Sequence, residues 1–274
     1  MKIYQVDAFS QKLFQGNPAA VIVQDEWLSD ALMQNIALEN NLSETAFVKR
    51  IDDTHYAIRW FTPTAEVAFC GHATLASAFV LFREYTQSTE IEFEVKNLGT
   101  FYVSHAADGK INMNFPIRKP EYLKEYPEIL NEALNKPIQA VYVNPQAYVI
   151  ELESAQDVLD LEVDFLKLKA LGHAHAAMEV SSLDVAVTAS YAGESTYDCI
   201  SRYFAPEIGI DEDPVTGSIH TAIVPLWAEK LGKTELVAYQ ASARGGELFC
   251  RILNAERMEV SGYAKLYMIG ELFV

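Results

Sequence analysis

Basic residues are scarce and scattered: 21 Lys and Arg stand against 38 Asp and Glu, a formal net charge of −17 at pH 7. Without a positive cluster nothing supplies the attraction that dominates nucleic-acid binding, and an anionic membrane surface is disfavoured for the same reason. No nucleic-acid or membrane partner is expected. Long apolar runs are missing too. The longest, Ala73 to Phe82, is about half of the roughly 20 residues a membrane helix needs, and the start MKIYQVDAF places Asp7 where a signal peptide needs an apolar core. A cytoplasmic protein is expected. Only three cysteines occur, Cys70, Cys199 and Cys250, widely spaced and without a CxxC pair. This argues against a disulfide framework or a structural zinc site.

What is present is the composition of a folded protein, 50% apolar and 22% charged over 274 residues, enough for one large domain or two ordinary ones. Ile3, Tyr4, Val6 and Phe9 alternate as in a strand, and a turn predicted at Gly16-Asn17-Pro18 returns the chain through Ala19 to Val23. Ser29 is placed to cap a helix carrying Leu32, Met33, Ile36 and Ala37 and ending near Asn40-Asn41. Strands are predicted over Glu44 to Val48 and Tyr56 to Phe61. Charged helices are expected near residues 128–135 and 157–170.

The chain also repeats itself. Arg59-Trp60-Phe61-Thr62-Pro63 returns as Arg202-Tyr203-Phe204-Ala205-Pro206, and Gly71-His72-Ala73-Thr74 as Gly217-Ser218-Ile219-His220, each opening an apolar helix-length stretch. Gly99 to Val103 corresponds to Gly246 to Cys250, and Ile111 to Phe115 to Met258 to Gly262. Four landmarks in one order at nearly constant spacing predict a duplicated fold. Helices apolar all round must be buried all round. The expected class is therefore α+β: two pseudo-symmetric lobes, each a barrel-like, mostly antiparallel sheet wrapped around a central helix. The first lobe is assigned to residues 1–118, completed by the C-terminal strand 265–274, and the second to 119–264. The proline-bearing stretch Pro116 to Pro127 is read as the linker.

Helices that begin at Gly71 and Gly217 would each present unpaired N–H groups to an anion, a carboxylate or a developing enolate, if the lobes face each other. Cys70 and Asp213 are the side chains next to those starts. Glu44 stands at the head of a predicted strand, an ordinary position for an exposed carboxylate. His55, His105, His173 and His175 have no carboxylate or cysteine partner at ligand spacing and read as surface or core residues.

GNPAAVIV (16–23), NLSETAFV (41–48), RWFTPTAEVAFCGHATLASAF (59–79) and YFAPEIGIDEDPVTGSIH (203–220) together resemble the phenazine-biosynthesis isomerase-like (PhzF-like) family, a branch of the diaminopimelate-epimerase-like superfamily. QASARGGEL (240–248) and the closing VSGYAKLYMIGEL are in the same style. The resemblance implies an active site in a cleft between the lobes, no cofactor, no metal and usually a homodimer; the substrate expected is a small carboxylate-bearing metabolite. It matches Glu44 to the general base, His72 to a proton-handling histidine and Asp213 to the acidic partner. It matches Gly71, Gly217 and Ser218 to helix-end anion binding, and Asn17 and Cys70 are expected beside them as substrate- or anion-binding residues. One departure bears on mechanism: the superfamily's two-thiol epimerases carry facing cysteines, and here Cys70 has Asp213 in place of a second thiol. The sequence therefore favours a cofactor-independent isomerase or epimerase working by carboxylate acid–base chemistry at carbon. The alternatives are a racemase using Cys70 and a non-catalytic metabolite-binding homodimer.

Overall fold

The computed structural model describes the backbone of residues 1–175, 183–191 and 196–274, with side chains 172–175 left outside the description. Two compact units result, Met1–Asn114 with Glu259–Val274, and Phe115–Met258. The chain mixes extensive β-structure with few helices.

The first unit begins with β1 (Lys2–Ala8), β2 (Asn17–Gln24), α1 (Asp30–Asn40), β3 (Glu44–Arg50), β4 (His55–Phe61) and β5 (Glu66–Val67). It continues through α2 (Gly71–Glu84), β6 (Glu90–Val95), β7 (Gly99–His105) and β8 (Ile111–Pro116). β1 and β2 pair antiparallel, β2 and β3 parallel, β3 and β4 antiparallel, β4 and β6 parallel, and β6, β7 and β8 antiparallel in turn. β2 is buried along most of its length because both of its faces are covered, which is why NPAAVIV carries no polar alternation after Asn17. Ala20 and Ile22 join Met33, Ile36, Phe47 and Phe61 in the core beneath α1. By strand alternation Ala19 and Val21 face the other way, and α2 packs against β1, β2 and β3. Every α2 residue from Gly71 to Ala78 is buried.

The expected turn at Gly16-Asn17-Pro18 is displaced. Asn17 and Pro18 already belong to β2, and the connection runs from Phe9 to Gly16, held by Asp7 Oδ2 accepting from the Phe14 N–H at 2.8 Å. Gly16 is required there: its φ is +72° and a Cβ would lie 2.1 Å from the Ala8 carbonyl oxygen.

The second unit holds β9 (Glu121–Leu123), α3 (Ile129–Ala133), β10 (Ile138–Val143), β11 (Ala147–Leu152), α4 (Ala155–Leu159), α5 (Phe165–His175), β12 (Asp184–Ser190), β13 (Cys199–Phe204), α6 (His220–Leu231), β14 (Glu235–Gln240) and β15 (Gly246–Ile252). β16 (Arg257–Gly262) crosses the boundary and β17 (Ala264–Glu271) pairs with β1. β10 and β11 are antiparallel, β11 and β12 parallel, β12 and β13 antiparallel, β13 and β14 parallel, β14 and β15 antiparallel. This is the pairing order of β1 to β7 over again. The stretch read as a linker is not free chain: between its prolines β9 pairs with β10, since none of Glu121–Leu123 lacks an N–H for the ladder. The single helix expected over 157–170 is two, α4 and α5, whose apolar residues Val158, Leu168 and Leu171 join one core with β11 to β13.

α6 starts at His220 and not at Gly217. Gly217 to Ile219 form a turn closed by i→i+3 bonds from His220 N to Gly217 O and Thr221 N to Ser218 O. Within α6 Pro225 offers no N–H to Thr221, whose freed carbonyl accepts from the Arg118 N–H at 3.0 Å. Among the described residues no helix is long and apolar enough to cross a membrane.

Candidate active site

Local structure converges three polar side chains at one end of the first unit's sheet. α1 stops because Asn41 takes the left-handed conformation (φ +48°), and the chain re-enters the sheet at Glu44, in register with Ala19 of the parallel β2. Asn40 Nδ2 donates to Thr45 Oγ1 at 3.0 Å and secures this junction. Asn17 heads β2 at the same edge. α2 begins there with Cys70 in extended geometry as its N-cap, and Thr74 Oγ1 donates back to the Cys70 carbonyl at 2.6 Å.

Glu44 Oε2 and His72 Nε2 are 3.0 Å apart, with side chains 12% and 5% exposed. On the other side of the ring Asn17 Nδ2 lies 3.1 Å from His72 Nδ1, and Cys70 Sγ 3.4 Å from it. Glu44 Oε2 itself is buried, and among the described residues no group meets it in line for a hydrogen bond. Burial alone would push His72 down, but its electrostatic and hydrogen-bond contacts with Cys70 and Glu44 outweigh it and hold the ring well above its usual value. The Cys70 thiol is raised to about 11, first by burial and then by Glu44, so at neutral pH it meets His72 as a neutral thiol. A cationic ring carries a proton on each nitrogen, and the one on Nε2 is on the side of Glu44. An exposed-carboxylate reading of Glu44 is thus replaced by a carboxylate held against a buried cation.

Ligand atoms of Glu44, Cys70 and His72 all lie within 4.8 Å of one another, a donor set with the composition of a transition-metal site. A cation there would have to displace both the Nε2 proton and a thiol proton. Gly71 and His72 head α2, and first-turn N–H groups have no acceptor within their own helix.

In the second unit the acidic triplet separates. Asp211 is exposed, Glu212 is gripped in a fork by Arg202 (Nε–Oε1 2.7 Å, Nη2–Oε2 2.9 Å), and Asp213 Oδ2 accepts from Thr216 Oγ1. Buried Gln240 ties the loop together, donating to Asp213 O and accepting from Thr216 N. The fork has its repeat partner in Arg59, which grips Glu66 through Nε and Nη2 at 2.7 Å each. Each arginine thus anchors the segment leading to a candidate group, Cys70-Gly71-His72 in one unit and Asp213 in the other. Ser218 is half-buried and bonded to Gln146.

Gln146, Tyr203, Asp184 and Gln240 were not legible as site residues. The Arg–aromatic–Phe repeat contains Tyr203 and QASARGGEL opens on Gln240, but neither assigned them a role. His55 does have a carboxylate partner, contrary to expectation: Asp52 lies 2.8 Å from Nδ1 at the surface, because the turn between β3 and β4 folds it back. His105 stacks on Phe82, and the side chains of His173 and His175 lie outside the described residues.

The family model for phenazine biosynthesis-like protein matches residues 6–270. An uncharacterised isomerase of Pseudomonas aeruginosa is 44% identical over 273 residues, 99% of this chain and 98% of its own length. One from Halalkalibacterium halodurans is 41% identical over 276 residues, with 99% and 98% covered. The crystal structure of a PhzF-family phenazine biosynthesis protein from Enterococcus faecalis superimposes with a TM-score of 0.90 at 40% identity, covering 100% of this chain and 99% of that one.

Proposed function

The chain belongs to the phenazine biosynthesis-like family and is an isomerase, and from that premise we propose that it moves a proton at carbon on a small carboxylate-bearing metabolite, with Glu44 as general base. The observation that carries this reading is the buried Glu44 Oε2, 3.0 Å from His72 Nε2 and, among the described residues, without an in-line hydrogen bond. Such an oxygen is left available to an incoming C–H while the histidine orients the carboxylate and takes part in returning the proton. Asp213 is assigned the acidic partner's role. Gly71 and Gly217 N–H groups with the Ser218 hydroxyl are assigned to the substrate's anionic oxygens, where donors stabilise a developing enolate. In this reading each unit is a barrel-like sheet about its buried helix, α2 or α6, the chemistry uses no cofactor or metal, and the protein works as a homodimer. A Cys70 base is disfavoured, since a thiol raised to about 11 is almost wholly protonated at neutral pH.

The test is deuterium wash-in from heavy water, read by mass spectrometry over a pool of small carboxylate metabolites, for wild type and Glu44→Gln. Loss of an acid–base group predicts a rate at least about a hundredfold lower in the variant, with an unchanged melting temperature. Equal wash-in by both proteins would remove Glu44 from the mechanism. Silence from wild type, with no change in chirality or absorbance, would favour a metabolite-binding protein.

A further inference from the structure

The repeated strand order puts Asp184 where the first unit has Glu44. Each is the first residue of its strand, and each pairs in parallel register with an alanine near the head of the neighbouring strand, Ala19 for Glu44 and Ala147 for Asp184. Ahead of that alanine stands a side-chain amide, Asn17 two residues before Ala19 in one unit and Gln146 one residue before Ala147 in the other. Asn17 reaches His72 near the head of α2, and Gln146 reaches Ser218 in the turn before α6. The second unit therefore carries its own polar chain. Gln146 Nε2 lies 2.9 Å from Ser218 Oγ and 3.0 Å from Tyr203 Oη, and Tyr203 Oη lies 2.5 Å from Asp184 Oδ2.

The polarity of this chain is set from its far end. Burial raises Asp184 to about 6, the Tyr203 hydrogen bond opposing and Asp213 and Glu207 adding to the rise, so it is mainly a carboxylate at neutral pH. A carboxylate only accepts, so Tyr203 donates to it. The phenol oxygen then presents a lone pair to Gln146, which must answer with its nitrogen. That same nitrogen donates its second hydrogen to Ser218. With one lone pair occupied in this way, the Ser218 hydrogen is directed away from Gln146. Tyr203 is 4% exposed and Ser218 half-buried, so the chain runs outward from the core to a partly exposed residue.

We propose that Gln146, backed by Tyr203 and Asp184, is a positioning residue that fixes the Ser218 hydroxyl as a hydrogen-bond donor to an anionic ligand group. The proposal rests on the assignment of Ser218 to anion binding made above. Gln146→Glu keeps the shape of the side chain and replaces its donor with acceptors only. Ser218 then donates inward and turns its lone pairs to the ligand.

Neutron diffraction from crystals of the full chain in heavy water reads the arrangement without any ligand. Expected are two deuterons on Gln146 Nε2, aimed at Tyr203 Oη and Ser218 Oγ, with the Ser218 deuteron pointing elsewhere. A Ser218 deuteron on the line to Gln146 overturns the proposal. Calorimetric titration with malonate then measures the consequence in wild type, Gln146→Glu, Ser218→Ala and the double variant. Gln146→Glu is expected to weaken malonate at least tenfold when Ser218 is present and by less than twofold when it is alanine. Equal losses in both backgrounds would show that Gln146 acts through charge or folding, and would also overturn the proposal. Gln146→Leu, which adds no charge, is expected to fall between wild type and Gln146→Glu in the Ser218 background. Failure of wild type to bind malonate, with the expected deuteron positions in place, would count against the anion-binding reading of Ser218 and leave the positioning role standing.

Discussion

At the scale of single residues, the two strand-head carboxylates have opposite surroundings. Glu44 faces a buried cationic histidine, whereas Asp184 faces a phenol with other acidic groups beyond it. The pKa of Asp184 in the folded protein, about 6, lies above the ordinary aspartate value of 3.8 that holds in the unfolded chain. The folded state therefore binds this proton more tightly than the unfolded state. Its contribution to stability is fully present below pH 4 and is lost as pH rises through 6. The gap between the two values corresponds to about 3 kcal/mol. Asp184→Asn, which still accepts from Tyr203, should match wild-type stability near pH 4 and exceed it by about that amount above pH 7. Urea unfolding at pH 4, 6 and 8 checks this, and a difference that does not vary with pH would refute it.

Among the elements, the loop from β1 to β2 and the end of α6 test how strictly a left-handed backbone needs glycine. Gly16 and Gly232 have nearly the same φ, +72° and +66°. A Cβ on Gly16 meets the Ala8 carbonyl oxygen at 2.1 Å, whereas one on Gly232 meets nothing within 4 Å. Gly232→Ala should cost only the left-handed penalty, about 1–2 kcal/mol. Gly16→Ala should cost clearly more and also displace Asn17, so its melting temperature should fall further and its wash-in rate should drop with it. Equal losses in the two variants would show that the β1–β2 loop yields. Elements were where the sequence was most readable: Ser29 caps α1 through Leu32 N, and α2 is buried as its all-round apolarity requires. The misplaced turn at Asn17 and the late start of α6 have one cause. Turn residues mark where a chain bends, but the strand ladder and the i→i+3 closure decide on which side of the bend they fall.

For the molecule as a whole, the repeat in the sequence is met by a repeat in pairing order and by two Arg–Glu forks, Arg59–Glu66 and Arg202–Glu212. Glu44 and His72 were legible as candidates because short motifs surround them. The Gln146–Tyr203–Asp184 chain was not, because its members meet only through the Ala147–Asp184 register and the antiparallel pairing of β12 with β13. The proposed homodimer belongs to this scale. Phe14, Tyr267, Met268, Ile269 and Phe273 are exposed on or beside the C-terminal strand, with Phe14 and Tyr267 in edge contact. An apolar strip of this kind favours burial against a second copy, but a formal charge of −17 on each chain opposes association. Salt screens the repulsion and leaves the apolar term in place. Sedimentation velocity at micromolar protein should therefore show a species of twice the protomer mass that tightens between 20 and 500 mM NaCl. Ile269→Lys with Tyr267→Ser should give protomers of nearly unchanged melting temperature at low concentration, since both side chains are about half exposed in the single chain. Protomers at every salt concentration in wild type, or a dimer that loosens with salt, would refute an apolar homodimer interface on this strip.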